Sequence, residues 1–265
     1  MANFQYVTSF LTSSTVTATD TLSGYQAVWA RDFTQPFRGW RSANVASQKI
    51  LSFDAGSVQD LSGIGVFSCN TPDIELQMSV DNSIWTGLPG FAQSHIFNPQ
   101  LFQGVFSFFI SFAIQTQRAI RVVIPTGQTL RNKTNTGYYE TTPAYNEIGT
   151  VFWCKTVNTL TRNPTRDMSL KSSTGEEEAT LTSGRTEIQR VGFPHSTFNL
   201  NWQNLSATER AEIRAITAIG KANPVLWFIN QGAPEQMLWA HLTGEPSETT
   251  ATVVTNYATD WRTLT

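Results

Sequence analysis

The chain has 265 residues, of which 40% are hydrophobic and only 14% are charged, and its formal net charge is −2. This charge balance offers no attraction to nucleic-acid phosphates, so we expect no nucleic-acid partner. An aromatic content of 12% suits β-strands and is unusual for long charged helices. A chain of this length buries roughly 70–75% of its unfolded surface, so it needs no disulfides to fold.

The first half shows the two-residue periodicity of β-strands. Its clearest segment is residues 74–85, where Ile74, Leu76, Met78 and Val80 alternate with polar residues before the turn-forming Asp81-Asn82-Ser83. This pattern predicts a hairpin with one buried and one solvated face. The other strands predicted in this half are residues 49–53, 64–68, 101–114, 119–124 and 151–154.

The segment 101–114 is the most apolar stretch of the chain. It is shorter than the about 20 residues that a membrane-spanning helix needs, so we expect no membrane insertion. Its phenylalanines and isoleucines alternate with Ser107, Ser111 and Gln115, and Phe109 is the exception on the polar face. We therefore interpret the segment as a strand.

A polar run near residue 158 marks the predicted boundary between two domains, 1–158 and 159–265. The second half is predicted to hold strands at 167–171, 176–182 and 196–202, then a single helix at about 207–220. Ser206 and Glu209 have the spacing of a capping box, which favours a helix start at that point. Segments 225–229 and 237–242 are expected to form a hairpin, with a last strand at 251–257. Residues 128–146 form a long polar excursion, and such segments are commonly functional or mobile.

The residues that carry most enzyme and metal chemistry show no recognisable spacing. His95, His195 and His241 are scattered, and Cys69 and Cys154 are interpreted as buried free thiols, with their redox state left open. Gly63-Ile64-Gly65 begins like a dinucleotide motif, but the third glycine position is Ser68. We therefore expect no catalytic residues, no cofactor and no metal. The N-terminus lacks a recognisable secretion signal.

Five motifs of the first half occur in the order found in discoidin-type domains. They are Trp40-Arg41-Ser42, Phe53-Asp54-Ala55-Gly56, Ser62-Gly63-Ile64-Gly65-Val66, Ser79-Val80-Asp81-Asn82-Ser83-Ile84-Trp85 and Arg118-Ala119-Ile120-Arg121-Val122. The half thus resembles a discoidin-like (galactose-binding-like) jelly roll, although Ala55 and Asn82 replace the leucine and glycine of the pattern.

The discoidin resemblance implies glycan binding through loops at one end of the sandwich. Candidate glycan contacts by residue type are Trp29, Arg31, Tyr138 and Tyr139. The alternative for Trp29 and Trp40 is a place in the core, where tryptophan usually lies largely buried.

The second half resembles the distal-tail and minor-tail proteins of long-tailed bacteriophages. The motifs that carry this resemblance are residues 185–190, Phe198-Asn199-Leu200-Asn201-Trp202, Leu205-Ser206-Ala207-Thr208-Glu209, Asn223-Pro224-Val225-Leu226-Trp227-Phe228 and Trp239. The resemblance implies a β-rich assembly domain in a structural virion protein of the tail tip or baseplate, assembled in the host cytoplasm. Its partners would be copies of itself in a ring and the tube, hub, tape-measure and fibre proteins.

Together these features predict a mainly β protein, a discoidin-like jelly-roll sandwich plus a second β-rich tail-type domain with one α-helix. The expected function is a non-enzymatic component of a bacteriophage tail that acts by oligomeric assembly. The alternative is a carbohydrate-binding module for adsorption to a host-surface glycan. Candidate interface residues are Arg162, Arg166, Arg185 and Arg190, which could pair with carboxylates of a neighbouring subunit or be ordinary strand-face arginines.

Overall fold

The computed structural model of the chain describes residues 4–11, 15–32, 39–71, 73–88, 106–128, 130, 144–165, 170–173, 176–180, 186–190, 195–228, 237–251 and 254–263. The strands in chain order are β1 (Gln5–Val7), β2 (Thr15–Ala18), β3 (Trp40–Arg41), β4 (Lys49–Cys69), β5 (Glu75–Ser79), β6 (Thr86–Gly87), β7 (Phe106–Ile124), β8 (Glu147–Cys154), β9 (Asn158–Thr159), β10 (Leu170–Ser173), β11 (Glu176–Thr180), β12 (Thr186–Arg190), β13 (His195–Leu205), β14 (Val225–Phe228), β15 (Met237–Ala251) and β16 (Val254–Thr263). A short 3-10 helix spans Ala27–Arg31, and α1 spans Ala207–Ala222. The predicted mainly β fold class is confirmed.

The first sheet is built around two long strands, β4 and β7. Its strand order is β3-β8-β4-β7-β5-β6, and β2 pairs with β4 outside this path. The first part of β4 pairs with β2 and with the end of β7, whereas its last part pairs with β8 and with the beginning of β7. Register shifts after Asp54 and Leu61, together with a positive φ of 79° at Gly56, accompany the change of partners.

The sequence had indicated four strands where the structure has two. Residues 49–53 and 64–68 both belong to β4, and the described parts of 101–114 and 119–124 both belong to β7. The residues between them carry turn-forming side chains, but the β4–β7 ladder continues through them with bulges. Buried residues from both parts of β4, among them Phe53 and Ile64, pack into the same core, so the bent strands enclose it.

The predicted hairpin at 74–85 is confirmed as β5 and β6, which pair antiparallel through Gln77 and Gly87. Its buried face ends earlier than expected. Ile74, Leu76 and Met78 are buried, but the strand ends at Ser79 and Val80 is 53% exposed. The Asp81 carboxylate accepts hydrogen bonds from the backbone N–H groups of Ser83 and Ile84, which fixes the turn.

The second sheet has the strand order β10-β13-β16-β15-β14-β1-β9. The β14–β15 hairpin is confirmed, and the last strand runs from Val254 to Thr263 rather than over 251–257. The helix begins as predicted, because the Ser206 side chain accepts from the Glu209 N–H while the Glu209 carboxylate accepts from the Ser206 N–H. None of the helices in the described ranges combines the length and apolar character needed to cross a membrane.

The N-terminal strand belongs to the second sheet. β1 lies between β14 and β9, with Tyr6 opposite Trp227 and Asn158. The first strand of the chain thus belongs to the sheet of the second half, which the division at 158/159 does not describe. The division itself stays a prediction.

The β8 region has two apolar faces, each in a different core. Val151 and Trp153 pack into the core of the first sheet, together with Ile64. Phe152 and Cys154, the residues that alternate with them, pack into the core of the second sheet. Phe109 belongs to this second core, which explains why an aromatic residue lies on the predicted polar face of its segment.

Aromatic rings of the second core carry the contact between the two sheets. The Phe152 ring lies 4.5 Å from the Trp239 ring and 5.8 Å from the Phe109 ring, centroid to centroid. Phe109 in turn lies 4.7 Å from Phe228. Such pairs add about 0.5–1.5 kcal/mol each beyond the area that they bury.

The glycines of the Gly63-Ile64-Gly65 motif leave space for these rings. A Cβ atom on Gly63 would lie 2.3 Å from the Phe109 ring, and one on Gly65 would lie 2.1 Å from the Phe152 ring. Both distances are far below van der Waals contact, so any larger residue would displace a ring. The motif therefore has a packing role between the two sheets.

We expect Gly65→Ala to lower the free energy of unfolding by about 1–3 kcal/mol or more, because the methyl group overpacks the Phe152 site. The thermal midpoint should fall by roughly 2–4 °C per kcal/mol in a chain of this size. Gly87→Ala is the matched control, since a Cβ there meets nothing within 4 Å. Equal midpoints for the two variants, measured by circular dichroism, would contradict the packing role.

Candidate functional site

An arginine surrounded by aromatic rings lies at the β3 edge of the first sheet. We call it the Arg41 cluster, and it comprises Tyr25, Trp29, Arg41, Tyr145 and Glu147. The guanidinium carbon of Arg41 lies 4.1 Å from the Tyr25 ring centroid and 4.6 Å from that of Tyr145. The Tyr25 and Trp29 rings meet edge to face, with 6.3 Å between their centroids.

Strand register brings the charged pair of the Arg41 cluster together. Arg41 on β3 is directly opposite Glu147 on β8, and its Nε donates to the Glu147 carboxylate at 3.0 Å. The Glu147 side chain is 3% exposed and that of Arg41 is 22% exposed. Tyr145 comes two residues before Glu147, so a continued strand alternation places both on the side that faces Arg41.

Local hydrogen bonds hold the aromatic residues in place. The Leu22 N–H donates to the Arg41 carbonyl at 2.8 Å, and the Tyr25 N–H donates to the Leu22 carbonyl at 2.9 Å. Gly24, with a φ of 85°, allows the turn between them. The 3-10 helix that carries Trp29 is fixed by a bond of 3.2 Å from the Thr150 hydroxyl to the Ala30 carbonyl.

Arg41 is held by one carboxylate and two rings, and its contacts with the described residues leave hydrogen-bond donors unused. Its Nε is the only one of its nitrogens with a hydrogen bond to the described residues. The terminal nitrogens can therefore donate to a ligand from a guanidinium whose position is already fixed by two rings and a carboxylate. Half-buried tyrosine and tryptophan rings beside it can stack on an apolar ligand face.

Two of the four predicted glycan contacts, Trp29 and Arg31, lie within the described residues. Trp29 is half-buried in the Arg41 cluster, and the exposed Arg31 ends the same 3-10 helix. Tyr138 and Tyr139 lie outside the described residues. Trp40 is fully buried and its indole N–H donates to the Asp20 carbonyl at 3.0 Å, so for Trp40 the core alternative holds.

Residue type alone did not reveal Tyr25, Tyr145 and Glu147. Tyr25 lies about 120 residues before Tyr145 and Glu147 in sequence, and these residues meet at Arg41 through the β3–β8 register and the Leu22–Arg41 hydrogen bond. The one signal in the sequence was Arg41 itself, which belongs to the Trp40-Arg41-Ser42 motif.

The predicted interface arginines are only partly described. Arg162 donates from Nη1 to the Asn204 carbonyl at 2.8 Å and lies 3.6 Å from the Glu209 carboxylate, so it binds next to the start of α1. The backbone of Arg190 ends β12 opposite Glu176. Arg166 and Arg185 lie outside the described residues.

Three of the five motifs that carry the discoidin resemblance meet at Asp54. The Arg118 guanidinium donates twice to this carboxylate, at 3.0 and 2.9 Å, and the Asn82 amide donates to it at 3.1 Å. Gly56 adds a backbone N–H at 2.7 Å. Asn82 has a φ of 61°, a conformation that asparagine tolerates in place of the glycine of the family pattern. These residues connect the bend of β4 to β7 and to the β5–β6 turn.

Neither the two cysteines nor the possible metal ligands of the described residues form a reactive centre. Burial raises the pKa of the Cys69 and Cys154 thiols to about 12, so these free cysteines are inert at neutral pH, and their predicted burial is confirmed. No group of three or more histidine, cysteine, aspartate or glutamate side chains in the described ranges could hold a metal ion.

Comparisons with known proteins found similarity only among solved structures. No protein-family model and no curated protein matches the sequence. A mutant of chitosan-binding module 1 from a chitosanase/glucanase of Paenibacillus sp. IK-5 is 16% identical, with a TM-score of 0.41 over 54% of this chain and 96% of that one. Module 2 of the same enzyme, in complex with chitotriose, is 17% identical, with a TM-score of 0.39 over 53% and 95%.

A third similar structure is the lectin domain of lectinolysin in complex with Lewis B antigen. It is 10% identical, with a TM-score of 0.36 over 55% of this chain and 95% of that one. Likenesses of this strength do not decide what the present chain binds, so its own residues must carry the functional argument.

We expect Asp54→Asn to lower the free energy of unfolding by about 1–3 kcal/mol at neutral pH, because it removes a charged acceptor. Arg118 is the main cause that lowers the pKa of Asp54. Asp54 therefore binds a proton more readily in the unfolded state than in the folded state. The stabilisation by its charged form is fully present above the pKa of Asp54 in the unfolded state. It is lost as the pH falls through the lower pKa of the folded state. The free energy of unfolding, measured in urea, should therefore change less with pH below about pH 4 in the variant than in the wild type.

Asp60→Asn is the control for this prediction. The Asp60 side chain is 44% exposed and lies 3.9 Å from Lys155, an exposed pair worth about 0–1 kcal/mol. If both variants lost the same stability with the same pH dependence, the Asp54 contacts would not have the role described.

Proposed function

We propose that this chain is a non-catalytic carbohydrate-binding protein and that the Arg41 cluster contacts the glycan. The observation that carries the proposal is the Arg41 guanidinium, lying over two tyrosine rings with its Nε bound to the nearly buried Glu147. Sugars present adjacent hydroxyl groups and apolar C–H faces. Fixed guanidinium donors and half-buried rings match these two features.

Burial of the charged pair favours binding over catalysis. The Glu147 carboxylate is 3% exposed and accepts from Arg41, which makes it a poor candidate for a general base at the surface. The cluster therefore offers directed hydrogen bonds and stacking.

Arg41→Gln should weaken glycan binding about 10- to 100-fold, because a charged hydrogen bond contributes about 1.5–3 kcal/mol. The measurement is isothermal titration calorimetry with the best ligand from a glycan array. Tyr25→Leu keeps the Arg41–Glu147 pair but removes one ring, and it should weaken binding without the same risk to folding.

Arg214→Gln is the matched control. It removes an arginine of α1 that pairs at 2.7 Å with Glu248 of β15, and the variant should bind the glycan normally. Unchanged affinity in both Arg41→Gln and Tyr25→Leu, with native thermal midpoints, would overturn the assignment of the site.

A second candidate function is assembly as a distal-tail, tail-tip or baseplate protein of a bacteriophage. The order of motifs in the second half supports it, as does the β11–β12 ribbon. In the described part of the chain β11 pairs only with β12, and a two-stranded ribbon is marginally stable on its own in water. Contact with a neighbouring subunit would stabilise this ribbon, and the chain would then be located in the virion tail.

Assembly predicts ring-shaped particles in negative stain and a multiple of the monomer mass by light scattering. Arg185→Ala and Arg190→Ala should reduce the particles to smaller species, with Arg214→Ala as the control. Arg162→Ala should mainly lower the thermal midpoint, because Arg162 already binds Asn204 and lies near Glu209 within the chain. A monomer at all concentrations would remove this candidate.

A further inference from the structure

A second group of aromatic and charged side chains lies on the outer face of the first sheet. We call it the Arg121 cluster, and it comprises Glu75, Gln77, Trp85 and Arg121. The guanidinium carbon of Arg121 lies 4.4 Å from the Trp85 ring centroid. The Arg121 Nε donates to the side-chain Oε1 of Gln77 at 2.5 Å, and the Gln77 Nε2 donates to the Glu75 carboxylate at 2.7 Å.

Strand register places the Arg121 cluster on the solvent side. Met78 and Ile120, the neighbours of Gln77 and Arg121 along β5 and β7, pair with each other and are buried in the core. Gln77 and Arg121 also pair with each other and point to the opposite face, because side chains alternate along a strand.

The polar row of this face continues across the sheet. Arg121 is opposite Ser52 on β4, and Ser52 is opposite Thr17 on β2. Thr17 is exposed, and Ser52, Gln77 and Arg121 are half-buried. From β2 to β5 the row crosses four strands, which is about 14 Å at a spacing of about 4.8 Å.

The hydrogen bonds of the Arg121 cluster leave donors and acceptors available. Arg121 binds a neutral amide through Nε, and its terminal nitrogens have no hydrogen bond to the described residues. Glu75 accepts from Gln77 rather than from Arg121. Burial lowers the pKa of Arg121, which indicates that the guanidinium is partly desolvated.

From this arrangement we propose that the Arg121 cluster is a second carbohydrate site, for neutral oligosaccharides that run along the Thr17–Ser52–Arg121–Gln77 row. Trp85 supplies the stacking surface, held in place by the guanidinium on one side. A nearby glutamate balances the arginine, so the site offers donors and acceptors together, as neutral sugar hydroxyls require. An acidic sugar would meet the Glu75 charge and bind less well.

This proposal goes beyond the Arg41 cluster and does not depend on it, because no residue is shared. The two sites lie on one rigid sandwich, so a long polysaccharide that reached both would bind more tightly than a short one.

The test uses the full chain with the neutral probes cellohexaose, N-acetylchitohexaose and laminarihexaose. Trp85→Leu and Arg121→Gln should each weaken binding of one probe at least about tenfold at the second site. Calorimetry should count one site fewer in either variant than in the wild type. The assigned Trp85 indole resonance should shift on titration, including in the Arg41→Gln background.

Val58→Ser and Arg214→Gln are the controls. Val58 is 50% exposed at the β4 bend and belongs to neither cluster, so it tests loss of an exposed apolar side chain. A Trp85 resonance that no neutral probe shifts would overturn the proposal, as would stronger binding of hyaluronan hexasaccharide than of every neutral probe. Loss of binding only in Arg41→Gln would leave the first site standing and remove the second.

Discussion

The packing of Phe152, a residue of the first sheet, in the core of the second sheet is the contact on which the rest of the architecture depends. Phe152 lies on β8, whose neighbouring residues Val151 and Trp153 face the first core. Its own ring faces Phe109 and Trp239 of the second core. Gly65 makes this possible, because any side chain there would occupy the space of the ring. The β8 region of the first sheet is therefore buried on both faces, and separating the two sheets would expose aromatic surface.

Much of the fold could be predicted because local patterns determine it. The alternation at 74–79 and the Ser206–Glu209 capping box each act within a few residues, and both were found where predicted. The continuity of β4 and β7 could not be predicted, because Asp54 and Gly56 are also typical of a turn. In the structure, the residues on both sides of them stay paired with β7, and β-bulges absorb the extra residues. The three-residue strand β1 has no periodicity to detect, and its place between β14 and β9 follows from tertiary packing.

The candidate site was less predictable than the fold for a geometric reason. Trp29 and Arg31 could be selected by residue type, but the partners that give the site its form come from distant segments. Arg41 and Glu147 meet because β3 pairs with β8 in one register, and a shift by one residue would turn the two side chains to opposite faces. A single sequence contains the residues of such a pair without the register that joins them.

Rigid attachment gives the two proposed functions a physical connection. The first sheet carries the Arg41 cluster, and its Phe109 and Phe152 pack into the core of the second sheet. In sequence, β11 and β12 lie between β10 and β13, two strands of that second sheet. If copies of the second half assemble, the shared core would hold every Arg41 cluster in the same orientation relative to the assembly. Individual carbohydrate sites of this kind can be weak, but parallel presentation raises the effective concentration of the second and later contacts. A shared aromatic core would therefore contribute to glycan affinity without touching a sugar, because a flexible connection between the halves would spread the sites over many orientations.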